Sequence, residues 1–113
     1  MRYMLFIYPD RTVELGPAER AAIPAAVGAW VAEMDARGVR EQGHVLAPAE
    51  EAKTVRVRGG ELAVGDGPAS GADVQVGGFN ILECTDLEEA VEVASRHPVA
   101  AFGTLELRAF VES

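Results

Sequence analysis

The chain has 113 residues, of which 49% are apolar and 25% charged, with a formal net charge of -8. That length suits one domain with a single core, expected to span 1–113. The acidic balance argues against nucleic acid or an anionic membrane as a partner, because both need a basic surface.

The one cysteine, Cys84, cannot form an intrachain disulfide, which suits a reducing, cytoplasmic location. The apolar start, Met1 to Tyr8, is too short for a signal peptide and closes at Pro9-Asp10. Nothing approaches the roughly 18 consecutive apolar residues of a membrane span.

Residues 2 to 8 read as a strand that is apolar on both faces, hence central and covered on both sides. Gly16-Pro17 opens a helical segment in which Ile23, Val27, Trp30, Val31 and Met34 share one stripe. Pro24 interrupts it and predicts a kink, or a separate turn before a main helix from about Pro24 to Arg37. Gly38 terminates it.

Val39 to Leu46 is a short strand weakened by Gly43, and 47–51 a loop. Thr54 to Arg58 alternates, with Val55 and Val57 expected inward; Gly59-Gly60 makes a hairpin turn and Glu61 to Val64 returns. Asp66-Gly67-Pro68 is a further turn, and 69–73 a loop of small residues.

From Gly77 a second central strand pairs Phe79 with Ile81 on one face and Asn80 with Leu82 on the other. Thr85, with Glu88 three residues on, predicts a capping box for a helix buried through Leu87, Ala90, Val91 and Ala94. Pro98 stops that helix near Arg96-His97. The last strand, Thr104 to Val111, turns Leu105, Leu107, Ala109 and Val111 one way and Thr104, Glu106, Arg108 and Phe110 the other.

The order strand, helix, strand, hairpin, strand, helix, strand implies an α+β, ferredoxin-like antiparallel sheet with two helices on one face and an extra hairpin. The uncovered face would carry some of Met4, Phe6, Tyr8, Asn80, Leu82, Arg108 and Phe110. It is too apolar to stay wet, which predicts a homodimer packed sheet to sheet with a mixed cavity between or beside the sheets.

In this order the motifs resemble the YCII-related family, in its DGPF-domain branch. They are Met4-Leu5-Phe6-Ile7-Tyr8, Thr54-Val55-Arg56-Val57-Arg58, Asp66-Gly67-Pro68, Gly77-Gly78-Phe79, Leu87-Glu88-Glu89-Ala90, His97-Pro98 and Leu105-Glu106-Leu107-Arg108. The resemblance implies ferredoxin-like domains that dimerise into an α/β barrel, and it marks Asp66 and His97 as a catalytic pair. The namesake motif ends in Phe where this chain has Ala69, and Ser70 to Val74 lacks the branch's usual charged residues.

On the residues themselves, His97 at a helix C-terminus would favour its cation and could act as a general acid or base, or it could merely close the helix. Asp66 could orient that imidazole, or bond its own turn. Arg108 could hold a carboxylated ligand, or pair with Glu106 or with a second copy. His44 reads as a surface residue and Cys84 as an inert buried thiol. Two His and one Cys, widely separated, form no metal constellation, and the glycine pairs lack phosphate-cradle spacing, so no cofactor is called for. Two readings stand: a small enzyme doing acid–base chemistry on a small organic molecule through Asp66 and His97, or a non-catalytic ligand-binding or accessory dimer.

Overall fold

The computed structural model describes residues 1–69 and 74–112. Six strands and two helices follow in the order β1 (Arg2–Pro9), α1 (Pro17–Ala36), β2 (Arg40–Val45), β3 (Lys53–Arg58), β4 (Glu61–Asp66), β5 (Gly78–Glu83), α2 (Leu87–Ser95) and β6 (Gly103–Ala109). Short 3-10 turns at Ala49–Glu51 and Pro98–Ala101 join them. The main sheet has strand order β2-β5-β1-β6, with every pair antiparallel. With the β3–β4 hairpin set aside, that is the ferredoxin-like order. β1 and β5 are its two central strands, as their apolar sequences require.

The register decides which side chains meet the helices. Tyr3 pairs with Leu82 and Leu5 with Asn80, and Leu5 also with Leu107. These residues, less Asn80, form the core with Trp30 and Met34 of α1 and Ala90, Val93 and Ala94 of α2. Asn80 and Leu82 therefore face the helices, against the expectation that they would help form the open face. The open face carries Phe79 and Ile81, which pair with Phe6 and Met4, beside Glu106 and Arg108 of β6.

Two local expectations shift. α1 runs unbroken through Pro24, with Pro17 in its first turn. The bond that Pro24 cannot donate would go to the carbonyl of Arg20, an exposed position where water can serve instead. α2 is capped by Asp86 rather than Thr85. The Asp86 carboxylate accepts the Glu89 N–H at 2.8 Å, and Glu89 in turn accepts the Thr85 N–H at 2.9 Å. The frame moves by one residue, so Val93 is buried while Leu87 and Val91 stay exposed.

The hairpin forms a separate two-stranded sheet. Gly59 and Gly60, at φ +57 and +80, make its two-residue turn. Val55 opposes Val64 and Val57 opposes Leu62, so four apolar side chains share one face as the alternation predicts. They are not inward: all four are 58–67% exposed. The Cα radius of gyration is 16.2 Å, against about 13 Å for a compact domain of this size. The hairpin forms its own sheet, and among the described residues nothing covers its apolar face.

Candidate functional site

His97 ends the α2 segment and caps the 3-10 turn that follows, because Pro98 forces extended geometry on the residue before it. Its side chain turns inward and is 4% exposed. Nδ1 accepts the backbone N–H of Val99 at 3.1 Å. The ring meets the edge of Trp30, with centroids 4.7 Å apart and planes at 67°. Trp30 is itself held by its indole N–H, which donates to the Val93 carbonyl at 3.0 Å.

Burial pushes the His97 imidazole down to about 4. Desolvation of the cation outweighs any help from the helix end, the reverse of what the sequence position suggests. His97 is thus neutral at pH 7. With the Nδ1 lone pair committed to Val99, the ring proton resides on Nε2. Such a ring is a hydrogen-bond donor at Nε2, not a base.

It lines a cavity of about 230 Å³ between α1 and the sheet. The walls are mostly apolar, with Val27, Trp30 and Val31 from α1 and Ile7 from β1. Besides His97, the polar side chains of the lining are Arg40, Asn80 and, from an exposed position, His44. Asn80 is 5% exposed. Its Oδ1 accepts Arg40 Nε–H at 2.8 Å, and Arg40 Nη1 pairs with Asp35 at 3.0 Å. Gly43, opposite Asn80 on β2, makes this possible, since a Cβ there would lie 1.9 Å from Asn80 Oδ1.

The structure does not bring the sequence-predicted set together. Asp66 closes β4 with its side chain 83% exposed and paired to Lys53. Gly67, at φ +92, turns the chain away after it. Asp66 does not line the His97 cavity, and His97 takes its Nδ1 partner from the backbone, so the two residues form no dyad within the chain. Arg108 lies exposed on the open face. Glu106, its expected partner, instead accepts the Tyr8 hydroxyl at 3.0 Å. Among the described residues Arg108 has no ion pair. Most of the small-residue loop, 70–73, lies outside the described residues. Cys84 is buried, and burial raises its thiol pKa. His44 is exposed, with its ring 5.7 Å from that of Phe79.

Sequence reasoning passed over Arg40 and Asn80. The signal for Asn80 was present: an amide in the middle of a central strand must be paid for by partners. Arg40 opens β2 directly behind the Gly38 turn, and nothing in its local pattern marks it as inward.

A family model, the YCII-related domain, matches residues 1–112. The chain belongs to the YCII-related domain family. Its fold is shared with the structure of 5-chloro-2-hydroxyhydroquinone dehydrochlorinase (TftG) from Burkholderia phenoliruptrix AC1100, in complex with 2,5-dihydroxybenzoquinone. The TM-score is 0.52 at 15% identity, covering 100% of this chain and 96% of that one. Among curated proteins none matches. Among the described residues no three His, Cys, Asp or Glu side chains gather as a metal site. No described helix is long and apolar enough to cross a membrane.

Proposed function

We propose that this YCII-related protein is a cytoplasmic small-molecule enzyme whose site is the cavity between α1 and the sheet, with His97 as its central polar group. One observation carries the reading: a histidine kept neutral by burial and oriented by the Val99 N–H lines a small apolar cavity. A neutral imidazole donor in an apolar pocket polarises a carbonyl or receives a developing oxyanion, without giving up a proton. The step that fits is enolisation beside a carbonyl on a compact ring: the neighbouring C–H proton leaves to a solvent water, since no lining side chain takes it, while the carbonyl oxygen gathers the charge against His97 Nε2–H. The shared fold with an enzyme bound to a dihydroxybenzoquinone supports that substrate class.

The residues lining the cavity include no carboxylate among those described. That observation favours a second reading, a non-catalytic dimer that binds such a ring without turning it over. The two readings share the site and part at turnover.

The test uses 2,5-dihydroxybenzoquinone as probe. Trp30 is the one tryptophan of the chain and lines the cavity, so binding should change its emission, with calorimetry as a second readout. Saturable binding is expected in the parent and in Asp66→Asn, with about tenfold loss in His97→Phe, the order of one buried hydrogen bond. Equal affinity in parent and His97→Phe would sink the assignment. A loss in Asp66→Asn equal to that in His97→Phe would restore the Asp66–His97 pair.

The reading includes a homodimer of the α/β-barrel type. One exposed apolar surface supports it, the Val55, Val57, Leu62 and Val64 side of the hairpin, and the half-buried Phe6 and Phe79 on the open side of the sheet add to it. A two-stranded hairpin is marginal in water without a surface to pack on. Sedimentation should give a dimer for the parent and a folded monomer for the Val57→Glu, Leu62→Glu double variant; a monomeric parent would defeat it.

A further inference from the structure

Two inward side chains of the cavity, His97 and Asn80, have their acceptors engaged by protein donors and turn N–H groups to the space. His97 uses its Nδ1 lone pair on Val99 N–H, which leaves Nε2–H. Asn80 uses its Oδ1 on Arg40 Nε–H, which leaves the amide N–H groups. The Arg40 charge is paired with Asp35 at 3.0 Å. Among the described residues no side-chain nitrogen or oxygen is both fully enclosed and without a partner. His97 Nε2 and the Asn80 amide nitrogen bond to no other described residue, so both are open to the cavity they line.

We propose that Asn80 is a second ligand-binding donor of this site, that Arg40 is the positioning residue that fixes its orientation, and that together with His97 they select ring compounds bearing an acceptor oxygen. This rests on the cavity being the ligand site. The selected class is a carbonyl or quinone-type oxygen on a planar ring. A phenol's O–H is the poorer match, because His97 has no acceptor left and the Asn80 oxygen is engaged by Arg40 Nε–H. Arg40 acts through Asn80: without its Nε–H the amide is free to flip and present oxygen to the ligand.

The experiment compares two probes of one outline, 4-pyranone, which has a ring carbonyl and no donor, and toluene, which has neither. Binding is read by calorimetry and Trp30 emission. In the parent, 4-pyranone is expected to bind about tenfold tighter than toluene, the order of one to two buried hydrogen bonds. Asn80→Asp keeps the shape and the Arg40 contact but replaces the donor by an acceptor. It should lose most of the 4-pyranone preference while toluene affinity holds within about twofold. Arg40→Met should lower the preference in the same direction, whereas a purely structural role would weaken both probes together. If 4-pyranone and toluene bind the parent equally, or Asn80→Asp leaves the preference intact, the donor assignment is overturned while the cavity stands. If neither probe binds the parent, the cavity itself is not the site and both readings fall.

Discussion

Trp30→Ala is expected to destabilise the chain by about 3–5 kcal/mol, the range for deleting a fully packed aromatic. The indole is 3% exposed. It lies on the stripe of α1 that packs on the sheet, bonds the Val93 carbonyl at the far end of α2, and backs the His97 ring. Its removal therefore loosens three elements at once. Urea unfolding followed by circular dichroism gives the number, since the variant has no tryptophan left. Trp30→Phe separates the parts. Most of the ring volume survives, and the Val93 carbonyl keeps the Arg96 N–H at 3.3 Å. About 1–2 kcal/mol should then be lost. A loss below about 1 kcal/mol for Trp30→Ala would mean that α1 does not pack on this sheet as described.

Much of the fold could be read from the chain because periodicity and breakers agreed. The α1 stripe, the Gly59-Gly60 turn and the alternation of β6 each had one physical solution. Where they failed, the failure was a matter of what lay across from the residue. Pro24 reads as a break locally, yet one lost bond at a wet carbonyl is less costly than giving up the packing of a twenty-residue helix. Thr85 and Asp86 are both good caps; Asp86 takes the role, and the Glu89 carboxylate reaches back to the Thr85 N–H. Alternation in β3 and β4 assigned one apolar face correctly. It could not say that, among the described residues, nothing covers that face.

The candidate site was legible only in part. His97-Pro98 pointed to a turn whose imidazole the structure buries. A helix end suggests a cation, however, and only the tertiary packing of Trp30 against the ring shows that desolvation wins. Asp66 carried the wrong partner, because a turn aspartate's neighbours depend on which sheet its strand joins, and β4 joins neither central strand. Asn80 and Arg40 meet from strands 40 residues apart. No spacing rule connects them; only the pairing of β2 with β5 does.

The neutral state of His97 should also govern how the chain responds to acid. Above the ordinary histidine value of 6.5 the ring is neutral in both folded and unfolded chains and contributes no pH dependence. Below it the unfolded chain takes up the proton and the folded chain does not, so stability falls as pH falls. The loss stops once the folded ring titrates, at about 4. Across that window His97 alone should remove up to about 3 kcal/mol. Carboxylates held low by their partners, such as Glu92 beside Arg37, lose stability in the same direction, so the His97 share is the difference between the parent and His97→Phe in urea midpoints from pH 7 to pH 4. The direct measurement is an NMR titration in a His44→Gln background, where a single imidazole is followed. A midpoint near 4, with the shifts of an Nε2–H tautomer above it, is the expected result. A midpoint at 6 or higher would show a hydrated ring able to carry charge at neutral pH. His97 would then be free to act as a base, and its donor-only character would be lost.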